Sequence, residues 1–344
     1  MSVGLAETDR LVAWSDAHLP GSGELLVRRM TAGASNEVFE LVRSGRRWVL
    51  RRPAPSSRAP QENLLREFRL LTALDATDVP HPRAVVACDD PQVIGAMFYV
   101  MEYVDGFTPT RDLPAPFAED EGARHGLGLG LLDGLTTLGA VDWAAIGLDG
   151  FGRPDGFLER QVSRWLAFDA SARTRPLEHL DTVAGWLDAN RPPGGTPAIM
   201  HGDYQFANAM FRHGTPARLA AIIDWEQSTI GDPLVDLGWL LALWDEPGEE
   251  PIRGAGEERV SALAGFPTRA ELTERYARRT GRDLDHLGWY EVFALFKLAL
   301  VLEGAYTRHA SGRSDNPAHA RLERMVPSLL ASAARLVAAG GHPR

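Results

Sequence analysis

Lysine is all but missing from this 344-residue chain: Lys297 is the only one, and arginine carries the rest of the positive charge. Histidine aside, any side-chain cation that meets a phosphate away from position 297 must therefore be a guanidinium, a planar two-pronged donor rather than a mobile point charge. Cysteine is equally scarce. Cys88 stands alone, so no internal disulfide can form, which fits a reducing compartment. No apolar run reaches the length of a membrane span, and Met1-Ser2-Val3-Gly4-Leu5-Ala6-Glu7 lacks the basic-then-apolar order of a signal peptide. The expectation is a soluble, cytoplasmic protein with no membrane partner. Net positive charge is lacking too. The formal balance of −10 argues against a nucleic-acid partner, because that affinity is supplied largely by Lys and Arg on phosphates. The ten histidines, His81 and His125 among them, show no metal-ligand spacing, and there is no internal repeat.

What is present is concentrated in two stretches, His201-Gly202-Asp203-Tyr204-Gln205-Phe206-Ala207-Asn208 and Ile222-Ile223-Asp224-Trp225-Glu226. Asp203 and Asn208 are five residues apart, the spacing at which a catalytic loop carries an aspartate base and a metal-binding asparagine. Ala209-Met210-Phe211-Arg212 reads as a short strand, His213-Gly214-Thr215-Pro216 as a turn and Leu219-Ala220-Ala221-Ile222-Ile223 as a returning strand. Such a hairpin would bring Asp224 beside Asn208. Singly, each of these residues would as readily shape a turn or cap a helix. In this order, with an apolar strand between, they point to phosphoryl transfer, with Asp203 taking a proton from a hydroxyl and Asn208 and Asp224 holding Mg²⁺.

With Gly231-Asp232-Pro233-Leu234-Val235-Asp236-Leu237 following, the pattern resembles the aminoglycoside phosphotransferase and choline kinase-like family. Within it, the chain most resembles the phosphotransferase domain found ahead of an acyl-CoA dehydrogenase domain in some animal proteins, and its free-standing bacterial relatives. Gly33-Ala34-Ser35-Asn36, Trp48-Val49-Leu50-Arg51-Arg52-Pro53, Arg160-Gln161-Val162-Ser163-Arg164-Trp165 and Phe293-Ala294-Leu295-Phe296-Lys297-Leu298-Ala299 narrow the likeness. It runs from about residue 28 to 308 and so covers most of the chain.

The resemblance implies an α+β, protein kinase-like two-lobed fold: a β-rich nucleotide-binding lobe over residues 1–102, a hinge at 103–106, and a mainly helical catalytic and substrate-binding lobe over 107–344. Leu25 to Met30 and Glu37 to Val42 read as strands joined by a small-residue turn. In that turn Gly33, Ser35 and Asn36 would approach phosphate through the backbone, although an ordinary hairpin turn needs no ligand. On the next strand, period-two alternation puts Val49 and Arg51 on one face and Trp48 and Leu50 on the other. Val49 would wall the adenine, and Arg51 stands where most kinases place lysine. Ten arginines against four glutamates lie between Arg28 and Arg69, either a phosphate-binding region or a solvated basic face. The helix Glu62 to Leu74 carries Glu67, a partner for Arg51 by resemblance and otherwise an ordinary surface carboxylate. By the same resemblance Met101 and Glu102, at the end of the lobe, and Tyr103 and Val104, in the hinge, would meet the nucleotide, the hinge backbone reading the adenine edge. The implied cofactors are ATP, with GTP left open, and Mg²⁺.

Helices are expected at Glu121 to Gly139, Gly156 to Asp169, Leu177 to Ala189, Val235 to Trp244, Arg269 to Thr280, Leu287 to His309 and Ala318 to Ala339. His201 is read as a support of the loop rather than a base, and Asp236 as a helix cap that also orients that loop. The acceptor is a small hydroxylated molecule: a hydroxyacyl-CoA-like compound by subfamily resemblance, another hydroxylated metabolite, or an aminoglycoside-type antibiotic. Arg160, Arg164 and Lys297 would meet an anionic acceptor; Arg160 and Arg164, four apart, equally suit a solvated helix face. A catalytically silent nucleotide-binding regulator is the alternative, supported by the lysine that is missing from the third strand.

Overall fold

The computed structural model describes residues 5–32, 36–54, 62–110, 112–170, 173–252, 259–314 and 316–342. They cluster into two compact units. The first comprises Met1–Gly106, Ala144–Leu148 and Ala220–Glu226; the second comprises Phe107–Trp143, Asp149–Leu219 and Gln227–Arg344. Two short segments from farther along the chain thus belong with the first unit, and Asp224 lies on one of them.

The first unit begins with a helix, α1 (Leu5–His18), that the sequence reading does not anticipate. Strands β1 (Leu26–Ala32), β2 (Asn36–Arg43) and β3 (Arg46–Pro53) follow, then α2 (Glu62–Leu74), β4 (Ala84–Cys88), the single turn α3 (Pro91–Ile94) and β5 (Phe98–Glu102). The strands form one antiparallel sheet in the order β1-β2-β3-β5-β4. Alternation decides its two faces. Phe39, Leu41, Trp48, Leu50, Phe98 and Val100 pack into one apolar cluster with Leu11 of α1 and Ile94 of α3. Burial of each such side chain is worth roughly 1.5–3 kcal/mol, so a one-residue slip of β3 would be strongly opposed. Val49 and Arg51 are thereby committed to the opposite face.

The second unit is mainly helical. Its helices are α4 (Glu121–Gly139), α5 (Gln161–Ala170), α6 (Leu180–Ala189), α7 (Leu234–Ala242), α8 (Arg269–Thr280), α9 (Leu287–Ala310) and α10 (Leu322–Ala338). Asp120 and Thr268 cap α4 and α8 by accepting from Ala123 N and Glu271 N at 3.2 and 3.1 Å. Both helices span the stretches expected from the sequence. Other boundaries move for local reasons. Gly156, at φ +59°, is followed by a 3₁₀ turn at Leu158–Arg160 before α5 begins, and His179, at φ +67°, delays α6 to Leu180. The expected helix from Ala318 is a 3₁₀ turn at Pro317–Arg321 followed by α10. Helix α9 is buried without a break from Leu287 to Leu300 and packs against α7 and α10. A helix apolar nearly all round belongs in a core.

Two short strands complete the frame. Strands β6 (Ala198–Met200) and β9 (Thr229–Gly231) pair antiparallel, Met200 opposite Thr229. The loop bearing Asp203 leaves directly from β6, and α7 follows β9. Strand β7 (Ala209–Phe211) precedes a turn closed by Arg212 N donating to Arg218 O at 2.9 Å. The chain then passes along β8 (Leu219–Ile222) into the first unit, where Ile222 N donates to Pro80 O at 2.8 Å.

Candidate active site

In the second unit the site is built on a loop whose backbone is held by buried side chains. Met200 ends β6, and His201 and Gly202 donate their amides to Asp236 Oδ2 and Oδ1 at 2.6 and 2.8 Å. Gly202 sits at φ +84°, and a Cβ there would lie 2.6 Å from the carbonyl oxygen of Gln227, so only glycine makes this turn without strain. The Gly202 carbonyl is taken by Lys297 Nζ at 2.5 Å. That ammonium lies 4.5 Å from the Trp239 ring and 5.4 Å from the Trp165 ring, which is cation–π range. Burial pulls the Lys297 pKa down, while the charges of Asp203 and Asp236 oppose the shift. Burial likewise pushes the Asp236 carboxyl up, against the two amide bonds and the charge of Lys297.

Asp203 projects from this loop. Its Oδ1 accepts from Gln205 Nε2 at 2.6 Å and its Oδ2 from Asn208 Nδ2 at 2.9 Å; Asn208 Nδ2 also reaches the Asp203 carbonyl at 2.9 Å. With the amide nitrogen of Asn208 so committed, its Oδ1 is the end left to meet a cation. Gln205 is steadied in turn by Arg259 Nη1 at 3.1 Å. His201 is fully buried; its Nδ1 accepts from Asp203 N at 3.3 Å and its ring stands edge-on to Tyr204. These contacts describe a loop support.

The first unit holds a second cluster. Arg51, 7% exposed, lies 3.3 Å from Glu67, 2.7 Å from Asp224 and 3.3 Å from Glu226. Glu67 is 3% exposed, so the solvated helix-surface reading of that residue is corrected. It faces inward because its position on α2 looks onto the sheet face that carries Arg51. Burial pushes the Glu67 carboxyl up, the Arg51 guanidinium pulls against that, and Asp224 and Glu226 add to the rise. Asp224 adopts φ +64°, a left-handed conformation that aspartate tolerates better than most residues. Asn36 Nδ2 donates to Glu226 Oε2 at 2.9 Å. Arg52 points the other way, to Glu37 Oε2 and the Ile94 carbonyl, both at 2.9 Å. Val49 is buried directly opposite Met101 in the β3–β5 ladder, and Trp48 opposite Glu102. The Arg47 guanidinium lies 3.4 Å from the Tyr103 ring centre, and Val104 is half-buried. Gly33 and Ser35 lie outside the described residues.

Several sequence expectations change here. Asp236 does not cap α7. It lies within the first turn and its carboxylate is committed to the loop amides, while Asp232 accepts from Leu234 N at 3.0 Å. Asp232 also receives Gly195 N at 3.0 Å and the Tyr290 hydroxyl at 2.9 Å. Lys297, expected to meet an anionic acceptor, is instead 6% exposed with its ammonium bonded to the Gly202 carbonyl, so it braces the loop. Arg160 donates to the carbonyls of Asp155 and Arg153, and Arg164 lies 5.7 Å over Trp165. These two line one cavity of about 400 Å³ together with Arg153, Phe157, Gln161, Ser163 and Thr229. Sequence reasoning missed Gln205, Glu226 and Arg259. The first two sit inside the motifs, whereas Arg259 carries no local signal.

An aspartate held by an asparagine five residues on, on a loop leaving a short strand, and, in the other unit, a buried arginine–glutamate pair on a β-sheet are the features of a kinase-like small-molecule phosphotransferase. Residues 27–286 match the model of the phosphotransferase enzyme family, and the chain belongs to that family. It is 32% identical over 315 residues to acyl-CoA dehydrogenase family member 11 of Rattus norvegicus, covering 89% of this chain and 40% of that protein. The chain thus spans less than half the length of that curated relative. A crystal structure of a candidate aminoglycoside phosphotransferase from Ralstonia eutropha JMP134 is 31% identical, with a TM-score of 0.78 over 95% of this chain and 98% of the other. A thermostable mutant of an aminoglycoside phosphotransferase, in ternary complex with AMP-PNP and hygromycin B, shares the fold at 14% identity and a TM-score of 0.55, covering 89% and 95% of the two chains. Among the described residues no helix is long and apolar enough to cross a membrane.

Proposed function

We propose that the protein is an ATP- and Mg²⁺-dependent phosphotransferase that moves the γ-phosphate to a hydroxyl of a small cytoplasmic metabolite, a hydroxyacyl-CoA-like acceptor being the first candidate. The observation that carries this reading is the Asp203 carboxylate, oriented by the Gln205 and Asn208 amides on a loop pinned by Asp236 and Lys297. Asp203 accepts a hydrogen bond from the acceptor hydroxyl and takes its proton as that oxygen bonds to the γ-phosphorus. The bond from the γ-phosphorus to the β-bridging oxygen breaks, and ADP leaves. Such chemistry needs positioning and charge neutralisation more than covalent help.

The donor set suits magnesium. Asp224 offers a carboxylate whose side chain is 41% exposed, and Asn208 offers its Oδ1; both are hard oxygen donors. When bound, Mg²⁺ would neutralise the charge of the nucleotide phosphates. Arg51, aligned by Glu67, is assigned to the phosphates in place of lysine, with Gly33, Ser35 and Asn36 as backbone contacts. Val49 and Met101 to Val104 are assigned to the base. The AMP-PNP complex of the structural relative supports ATP as the donor.

A catalytically silent regulator is the second reading, favoured by one observation: Arg51 already meets Glu67, Asp224 and Glu226. Incubation with Mg²⁺ and γ-labelled ATP against hydroxyacyl-CoAs, other hydroxylated metabolites and aminoglycosides separates the two. Label on a small molecule is the expected result. Nucleotide binding without transfer to any acceptor would establish the silent reading.

A further inference from the structure

The cavity lined by Arg153, Phe157, Arg160, Gln161, Ser163, Arg164 and Thr229 has an unusual charge character. The chain holds 46 acidic residues against 36 lysines and arginines, and its buried arginines are matched to carboxylates, as Arg43, Arg51 and Arg269 are. Around this cavity the matching stops. Arg160 donates to two neutral backbone carbonyls, those of Asp155 and Arg153, which fix the guanidinium without cancelling its charge. Arg164 rests on the Trp165 ring, and Arg153 is exposed. Among the described residues, none of these three arginines forms an ion pair with a carboxylate, and no carboxylate lines the cavity.

The cavity also lies close to the catalytic loop within the same unit. Thr229 in its wall is paired with Met200, the residue before His201. Trp165, stacked under Arg164, also faces Lys297, which holds the Gly202 carbonyl. Lys297 feels the charges of both Arg164 and Asp203. Gly152 brings Arg153 to this wall: a Cβ there would lie 2.4 Å from Ile230 N, so the segment can approach β9 only as glycine.

We propose that this cavity is the anion pocket of the acceptor site, where Arg153, Arg160 and Arg164 receive a phosphate or diphosphate group carried by the hydroxylated acceptor. The proposal rests on the phosphotransferase reading and narrows its substrate class. Guanidinium forks match phosphate oxygens in pairs. The same three charges repel a polycation, so aminoglycosides are disfavoured here. Phe157 supplies an apolar wall for the arm joining the phosphate group to the reacting hydroxyl.

Coenzyme A and pantetheine share their arm, coenzyme A adding a diphosphate and 3′-phosphoadenosine, and the arginine variant isolates the part of the difference that the phosphates carry. Isothermal titration is run with AMP-PNP and Mg²⁺ at saturation, so that the nucleotide site is filled. Coenzyme A is expected to bind at least about tenfold more tightly than pantetheine, and the double variant Arg153→Gln/Arg164→Gln to lose about tenfold for coenzyme A alone. Both side chains are exposed, which protects the fold, and an unchanged AMP-PNP affinity serves as the control. Equal binding of the two probes, no binding of coenzyme A, or full affinity in the double variant each overturns the pocket. Label transfer to 3-hydroxybutyryl-CoA and 3-hydroxybutyryl-pantetheine separates the two claims. Equal transfer rates to both refute the pocket and leave the phosphotransferase reading standing. Arginine-dependent binding of coenzyme A, with no transfer to any acceptor, refutes the phosphotransferase reading and leaves the pocket.

Discussion

In the first unit, Asp224 and Glu226 are held by a guanidinium; in the second, Asp203 is held by neutral amides. Among the described ion pairs, Glu67, Asp224 and Glu226 meet one guanidinium, that of Arg51, so carboxylates outnumber the cation there. The Asp203 loop works the other way. Gln205 and Asn208 orient the carboxylate, and no cation makes a hydrogen bond with it among the described residues. The buried cation of that loop, Lys297, is committed to a backbone carbonyl. A cluster with surplus carboxylate has charge to offer a metal ion, whereas a carboxylate steered by amides keeps its charge for a proton.

The sharpest way to break this contrast is Asp203→Asn, which keeps the size of the side chain and removes the proposed base, while giving up one of the two amide hydrogen bonds, from Gln205 or Asn208, that the carboxylate accepts. Turnover is expected to fall by about two to four orders of magnitude while nucleotide binding and melting temperature stay near wild type. Near-normal turnover would take Asp203 out of the chemistry.

Asp224→Ala should reduce Mg²⁺-dependent nucleotide affinity by about a hundredfold or more, as read by titration calorimetry with and without Mg²⁺. Should Mg²⁺-dependent affinity and rate both survive, the surplus charge of the first unit serves another purpose. Arg51→Ala should raise the KM for ATP or lower kcat by about tenfold, and Arg51→Lys should recover part of this as a point charge. Arg52→Ala is the comparison, because Arg52 contacts Glu37 and the Ile94 carbonyl on the other face. Equal effects at 51 and 52 would contradict the assignment of the anchor. Removing Arg51 also strands Glu67 in the interior, so a loss of stability of roughly 3–5 kcal/mol is expected alongside, measured by urea unfolding.

In the second unit, Asp236→Asn replaces one acceptor of the His201 and Gly202 amides with a donor. Stability should drop by about 1–3 kcal/mol and turnover by roughly tenfold. If neither moves, the carboxylate does not hold the loop. The smallest effect concerns Lys297. Because it is the only lysine, ¹⁵N-lysine labelling gives one side-chain resonance, which should titrate below the ordinary lysine range, in the direction that burial imposes. With its folded pKa lowered, the unfolded chain binds the extra proton between that value and about 10.4, so this contribution to stability grows as pH rises through the window. Lys297→Met should abolish that slope. A resonance titrating at or above the ordinary value would contradict the buried placement.

How much of this was legible in the sequence differs between the two regions. The strand faces of the first unit could be read, because Trp48 and Leu50 alternate with Val49 and Arg51 and a one-residue slip would expose the apolar pair. The inward turn of Glu67 could not be read from α2 alone, where it only borders the apolar stripe. In the second unit, α4 and α8 were legible from periodicity, with Asp120 and Thr268 capping them. Helix α1 and strands β6 and β9 were not, being short or only weakly patterned. Arg259, fifty-four positions from the Gln205 it steadies, left no local trace.

By itself, the sequence determined the order of chemistry-bearing residues: an aspartate, an asparagine five positions on, a second aspartate after a hairpin, and no lysine except at 297. It also determined which strand face carries Arg51, because side-chain direction along a strand follows from local backbone geometry. Only the tertiary structure decided that Asp236 pins the Asp203 loop rather than capping its own helix, that Lys297 braces that loop, and that Arg153, Arg160 and Arg164 share one cavity. Those outcomes depend on which groups must find partners once the chain is packed. Buried amides, carbonyls and charges are satisfied by whatever neighbour folding brings, at any sequence distance.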